Sequence, residues 1–528
     1  MRVLLVNPYL TGATHNEAAF PLGPISLISY VRREIPDCTI EFVDLVARSG
    51  GTSGPSPRGR RFGPSDDEIR ALLADYRPDI VGVSSMFTSY YVDAYETAAL
   101  MREIFPDAFL VLGGAHVSYD IEPSLLRTPA DAVVINEGEI TFAELIRAVR
   151  DGRDLREVDG IAFKDPANGE IVLTPKRPNH PTLDDFPRPA YEEVNYDFYS
   201  DAMIRNQLLK GSRVATIFTS RGCPYDCVFC STKVMWTRKW RAQSAERVFE
   251  DIRYLVETFG VDEIVVNDDS FIVDRKRVAA ICDLIIESGL KINLHIQAGV
   301  TVWLLTIPML EKMVQAGLYR LRLPLETGSK ETLPYVNKPV DLDASRELVP
   351  HLHKLGLWTS ANFIVGFPEE TREQIWETIR YAEESTIDEV SYLIAQPYSG
   401  ADMYADFERL GLLKNRIDQS SVTHTLYDTV TLKAHEIQAL KDEADRRFFR
   451  LTLKRLLSPL FLVTKLWPKV NSFSKFKYAL KIAWYMAKAL YGQWRYREDE
   501  FVKWGGWGVV EENGCAPVAA STRGSFTV

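Results

Sequence analysis

The chain has 528 residues, 46 % hydrophobic and 25 % charged, a composition that suits two or three globular domains and excludes a single small module, a disordered chain and a coiled coil. Formal net charge is −10, yet residues 446–497 hold thirteen Lys/Arg and no Asp/Glu. The remainder is therefore strongly acidic, which argues against nucleic-acid binding and gives an anionic surface or partner to one end only.

Residues 1–8 read as a first strand and lack the apolar region and cleavage site of a signal peptide, so a reducing, cytoplasmic location is expected. The best apolar run, 456–463, is interrupted by Pro459 and falls short of a bilayer span. Across 1–150, short apolar runs at 3–6, 40–43, 80–83, 109–112 and 132–135 alternate with helical patterns, the rhythm of an open parallel α/β sheet. Residues 49–64, rich in Gly, Ser, Pro and Arg, read as a long exposed loop. Periodicity fades over 151–205, which is expected to be a linker. Six strand signals follow within 206–405, at 214–219, 263–267, 292–297, 321–325, 361–365 and 389–395, and predict a partial (β/α)6 TIM-type barrel. The helix after the first of them is expected to start at Ser244 and stop at Gly260. Residues 406–510 read as a helical basic and aromatic region, and 511–528 as a loose terminus.

Six cysteines are too few for a disulfide scaffold, and three lie together in Ser220-Arg221-Gly222-Cys223-Pro224-Tyr225-Asp226-Cys227-Val228-Phe229-Cys230. Three thiolates in one loop can hold three corners of a four-iron cluster and leave one iron open. A zinc site is the alternative, although no His lies between His180 and His295 to complete it. The spacing, with Phe229 directly before the last cysteine, resembles the radical S-adenosylmethionine (SAM) superfamily. That resemblance implies a [4Fe-4S] cluster on Cys223, Cys227 and Cys230, SAM on the open iron, Phe229 near the adenine, and cleavage of SAM to a 5′-deoxyadenosyl radical.

Further matches follow the expected strand ends: Asn267-Asp268-Asp269-Ser270-Phe271, Glu326-Thr327-Gly328-Ser329 and Gly366-Phe367-Pro368-Glu369. Under the resemblance, Asp268, Asp269, Glu326 and Ser329 take the polar groups of SAM and Gly366 lets the backbone approach adenine. A helix N-cap or a barrel ion pair is the other reading of each carboxylate. Gln297-Ala298-Gly299-Val300 and Tyr398-Ser399-Gly400-Ala401 depart from the family pattern.

In the N-terminal part, Phe20-Pro21-Leu22-Gly23-Pro24, Val83-Ser84-Ser85, Gly113-Gly114-Ala115-His116 and Glu137-Gly138-Glu139 follow the strands. They resemble the cobalamin-binding domain of B12-dependent radical SAM enzymes, which implies cobalamin contacts at Ser84, Ser85, Gly113, Gly114, His116, Glu137 and Gly138. An NAD-type sheet is disfavoured because no G-x-G-x-x-G follows the first strand. No Asp-x-His-x-x-Gly occurs, so His116 is expected to cap a turn or touch the nucleotide tail rather than bind cobalt. Cys38 and Cys282 are expected in the core.

The basic and aromatic stretch 446–497 suits either a helical cap on the barrel or contact with a membrane surface, with Lys477, Lys481 and Lys488 on one helix face and Ala479, Ile482, Ala483, Met486 and Leu490 on the other. Asp445-Arg446-Arg447-Phe448-Phe449-Arg450 and the later Trp504-Gly505-Gly506-Trp507-Gly508 resemble the tail layout of the anaerobic Mg-protoporphyrin monomethyl ester cyclase group and its relatives. The resemblances together imply a cobalamin-dependent radical SAM methyltransferase that acts on an unactivated carbon of a hydrophobic or tetrapyrrole-like metabolite, with a flavodoxin- or ferredoxin-type electron donor. An oxidative cyclase or rearrangement enzyme is the alternative, and a non-catalytic cofactor-binding protein the alternative of another class.

Overall fold

The computed structural model describes residues 1–12, 18–48, 53–56, 59–413, 427–470, 472–473 and 475–484. Its first sheet contains β1 (Arg2–Asn7), β2 (Thr39–Asp44), β3 (Ile80–Ser84), β4 (Phe109–Gly113), β5 (Ala132–Val134), β6 (Ile161–Lys164) and β7 (Ile171–Leu173), in the order β7-β6-β5-β4-β3-β1-β2. The first five strands run parallel. Val3 and Leu5 enter the core on one face while Leu4 and Val6 enter the core on the other. A strand covered on both sides reads as an unbroken apolar run because alternation has nothing polar to reveal. The chain leaves β1 for β2 on one side and returns on the other to form β3, so the carboxyl ends of β1 and β3 flank a crevice of the kind that holds ligands in open α/β sheets.

Two segments depart from expectation. Within 151–205, β6 and β7 add an antiparallel edge to the first sheet, and a helix occupies Tyr196–Gln207. The strands are four and three residues long, and the turn at Asn168-Gly169 joins them as a hairpin, outside the alternation of strand and helix that marks the rest of the sheet. Within 49–64, the described part Gly59–Phe62 pairs with Ser53–Ser56 on one side and with Leu10–Gly12 on the other, and Phe62 is buried in the core.

The second sheet contains β8 (Val214–Ile217), β9 (Glu263–Val266), β10 (Asn293–Ile296), β11 (Leu318–Glu326), β12 (Trp358–Val365) and β13 (Glu389–Ile394). These strands pair in sequence order and all run parallel, a six-stranded partial barrel whose first and last strands leave a seam. Helix Ala245–Phe259 starts where Ser244 Oγ accepts from the Arg247 amide and ends at Gly260 in the left-handed region. The core on the Val3/Leu5 face of the first sheet continues through Tyr191, Tyr196 and Tyr199 into the barrel, and Tyr199 donates to Asp44 at 2.7 Å. Cys38 and Cys282 lie in this core.

Helix Ala434–Leu456 runs down β13, from Ile437 against Gly366 at the carboxyl end of the barrel to Arg455, which donates to the Glu383 and Ile387 carbonyls at the other. The chain then crosses the amino ends of the strands. Lys469 Nζ meets Asp388 at 2.5 Å, Tyr478 packs edge-on against Tyr319 and Trp358, and Lys481 Nζ donates to the Leu209 carbonyl at 2.6 Å. Lys477 is exposed and Ala479 and Ile482 are half-buried, as the expected helix faces require, whereas Lys481 turns inward and Ala483 is exposed, because the Leu209 carbonyl ahead of β8 takes the lysine as its donor. Met486, Lys488, Leu490 and the expected loose terminus lie outside the described residues.

Candidate active site

Cys223, Cys227 and Cys230 lie on the loop that leaves β8, and a short hairpin pairs Ser220–Arg221 with Arg241–Ala242 to hold the loop ends together. Gly222 has φ +89°, and a Cβ there would lie 2.5 Å from the Lys239 carbonyl oxygen, so only glycine lets the two limbs approach. Cys230 Sγ lies 3.2 Å from Thr232 Oγ1. Burial pushes the Cys227 thiol up to about 12 and those of Cys223 and Cys230 in the same direction, and the sulfurs raise one another. Thiolates at these positions need a positively charged group to hold them ionised. Among the described residues no three His, Cys, Asp or Glu side chains close around one point as a single ion requires.

A cavity of about 410 Å³ separates this loop from the first sheet. The carboxyl ends of β1, β3 and β4 form one wall, with Ser84, Ser85, Gly113, Gly114, Asn136 and Gly138. Ser220, Arg221, Thr232, Met235, Trp236 and Asp269 form the wall opposite. Its lining is mainly apolar, yet Ser85 Oγ and Asn136 Oδ1 are buried without a hydrogen-bond partner. A Cβ at Gly113 would have no neighbour nearer than 4.0 Å, whereas one at Gly114 would lie 2.5 Å from the Ser85 carbonyl oxygen. An open apolar slot with two unanswered polar atoms at its edge fits a large planar ring that bears amides, as cobalamin does. Three cysteines on one loop, with no fourth beside them among the described residues, fit a cluster that takes one thiolate on each of three irons.

Glu137 and Glu139 also line the cavity, but arginines occupy their carboxylates. Arg221 meets Glu137 at 3.2 Å and Glu139 at 2.5 Å, and Arg241 meets Glu137 at 2.6 Å. Burial pushes the Glu139 carboxyl up, but Arg221 more than offsets this and holds it below the usual carboxylate range. The result is a charge-balanced latch between the first sheet and the cysteine loop. Neither Arg221 nor Arg241 was singled out by the sequence reading, although Arg221 stands two residues before the first motif cysteine.

The remaining expected contacts divide. Asp269 lines the cavity, accepts from the Gly222 amide at 3.3 Å, and is pushed up to about 6 by burial and by Asp268 beside it. Asp268 is fully buried and accepts from the Thr219 amide, Thr219 Oγ1 and Ser220 Oγ, so it fastens the exit of β8 instead of facing the cavity. Glu326, at φ +66°, pairs with buried Lys338 at 2.6 Å, and both charges act on Cys227. Ser329 is buried and its hydroxyl donates to Glu377 at 2.6 Å. Phe229 packs with Val228, Phe367 and Tyr335. Gly366 has φ +84° and donates its amide to Glu370 at 2.7 Å; Glu370 stands one residue beyond the run that the sequence offered. His116 lines a second cavity, of about 310 Å³, with Tyr95 OH and Thr88 Oγ1 at 3.1 and 3.3 Å from its ring nitrogens and Tyr91 stacked on it.

Comparison with known proteins agrees with this geometry. Residues 217–382 match the radical SAM superfamily and residues 57–146 match the B12 binding domain. An uncharacterized methyltransferase of Pyrococcus horikoshii is 32 % identical over 408 residues, 76 % of this chain and 82 % of that one. The anaerobic magnesium-protoporphyrin IX monomethyl ester cyclase of Rubrivivax gelatinosus is 28 % identical over 411 residues, 77 % of this chain and 70 % of that one. Among solved structures, the radical SAM methyltransferase TsrM of Kitasatospora setae superposes with a TM-score of 0.59 at 17 % identity, over 78 % of this chain and 77 % of that one. The chain thus belongs to the cobalamin-dependent radical SAM enzymes, whose cofactors are a [4Fe-4S] cluster, S-adenosylmethionine and cobalamin.

Proposed function

We propose that this enzyme transfers a methyl group to an unactivated carbon of a hydrophobic or tetrapyrrole-like metabolite. The observation that carries the reading is the cavity whose two walls come from the B12-binding sheet and from the residues that flank the cysteine motif, Ser220 and Arg221 before it and Thr232, Met235 and Trp236 after it, which sets the two cofactor sites next to each other. Bound there, the cofactors supply a transferable methyl group and a radical strong enough to remove hydrogen from carbon.

The chain's own part is positioning and exclusion of water. Cys223, Cys227 and Cys230 hold the cluster. Asp269 and the Glu326–Lys338 pair stand beside the loop to orient SAM, with Gly366 and Phe229 toward its adenine. Ser84, Ser85, Gly113, Gly114, Asn136 and Gly138 would seat the corrin, and the arginine latch holds the first sheet against the start of the cysteine loop. The electron comes from a flavodoxin- or ferredoxin-type donor, and the enzyme sits peripherally at a membrane surface through 446–497.

Anaerobic protein reconstituted with iron, sulfide and cobalamin, reduced, and given CD3-labelled SAM with lipid and tetrapyrrole extracts tests the reaction. Methyl transfer yields both S-adenosylhomocysteine and 5′-deoxyadenosine, with the label in one extracted compound. Likeness to the cyclase favours oxidative cyclisation as the second reading; deoxyadenosine formed without S-adenosylhomocysteine or label transfer would select it. Formation of neither product would leave only the cofactor-binding alternative.

A further inference from the structure

Nine of the fifteen large hydrophobic side chains exposed among the described residues fall within 453–484. Phe473 is 85 % exposed and Leu457 82 %, with Val463, Trp467, Phe476 and Trp484 each at least half exposed. Arg450, Lys454 and Lys477 are exposed beside them and have no carboxylate partner among the described residues. No acidic residue occurs anywhere in 446–497.

This surface is not a frayed end. Its inner side is fixed by Lys469, 1 % exposed and paired with Asp388, by buried Tyr478, and by Lys481 on the Leu209 carbonyl. The aromatic side chains are thus displayed from a seated element. That element covers the amino ends of the barrel strands, whereas the cysteine loop and the large cavity lie at the carboxyl ends.

We propose that this face docks on a bilayer bearing anionic headgroups, with the closed end of the barrel against the lipid and the catalytic mouth turned to the water. The proposal rests on the peripheral placement given above and not on which reaction the enzyme performs. Charge complementarity selects the occupant: lysines and arginines without counter-charges suit anionic headgroups, and Trp and Phe at the same level suit the acyl boundary. It also separates the tail from substrate choice, because a lipid engaged here lies across the barrel from the cofactors.

Full-length reconstituted protein is sedimented with phosphatidylcholine vesicles with and without roughly one-third phosphatidylglycerol. Binding to the anionic vesicles alone, weakened by salt, is expected. Phe473→Ser/Trp484→Ser and Lys454→Glu/Lys477→Glu each lower it by about tenfold or more. SAM cleavage to deoxyadenosine stays at the parent rate in both variants and on vesicles, which shows that the fold and mouth are intact. Equal binding to neutral vesicles, or none, overturns the proposal. A parent dimer that Phe473→Ser/Trp484→Ser turns into a monomer also overturns it and assigns the face to a second copy. Loss of cleavage on vesicle binding overturns the orientation.

Discussion

Replacing Arg221 by methionine is the sharpest test of the latch between the two cofactor domains. The side chains of Glu137 and Glu139 are 9 % and 7 % exposed, and Arg221 is the basic partner closest to Glu139. Arg221→Met leaves two carboxylates facing one arginine, and breaking a buried pair in this way costs about 3–5 kcal/mol. At about 2–4 °C per kcal/mol for domains of this size, the thermal midpoint of the full chain falls by roughly 10 °C. Adding Glu139→Gln removes the surplus charge, so the double variant recovers a substantial part of the loss. The Glu139 carboxyl is held below its usual range, so the latch is fully present above the ordinary carboxylate pKa and is lost as pH falls through the depressed value. The gap between parent and variant therefore persists at neutral pH and closes in acid. Scanning calorimetry of the parent, the two single variants and the double variant at two pH values reads this directly. A shift within about 2 °C, or a double variant as unstable as the sum of its parts, would refute the reasoning.

Cys227→Ala is expected to abolish SAM cleavage and most bound iron and sulfide; retention of both would remove this thiol from the cluster. Gly113→Leu projects into the open slot, where no neighbour lies nearer than 4.0 Å, so cobalamin absorbance is lost at unchanged circular dichroism. Unaltered cobalamin retention would put the corrin elsewhere. Burial pushes Glu370 up to about 8, so its contribution is fully present below the unfolded carboxylate value and is lost as pH rises through that figure. Thermal stability is therefore expected to decline from mildly acidic to mildly alkaline pH in the parent and to do so less in Glu370→Gln; parallel curves would count against it.

The strands were legible because parallel strands buried on both faces are written as apolar runs, such as Val3 to Val6, and the loop chemistry because three cysteines share eleven residues with β8's exit. What was not legible is pairing at a distance. Glu137 lies 84 residues before Arg221 in the chain, and nothing local shows that its carboxylate answers an arginine instead of a cofactor. Asp268 carries a similar lesson. Its motif position suggested a SAM contact, but the amide and hydroxyls of Thr219 and Ser220 needed an acceptor where β8 ends. β6 and β7 are no shorter than β5, which was legible, but a hairpin turn joins them where the other strands are spaced by helices, so they fall outside the strand-and-helix rhythm.

The tail is fastened on both sides of the seam, through Lys469 at the start of β13 and Lys481 just ahead of β8. A partial barrel without strand pairing across its seam would otherwise be free to slide or part along its whole length. The seam is also tied at its other end, where the Met403 amide donates to the Val228 carbonyl at 2.9 Å and Lys233 pairs with Asp402. To slip the first strand past the last, a contact must break at each end, so the open edge keeps its register without the strands a closed barrel would supply.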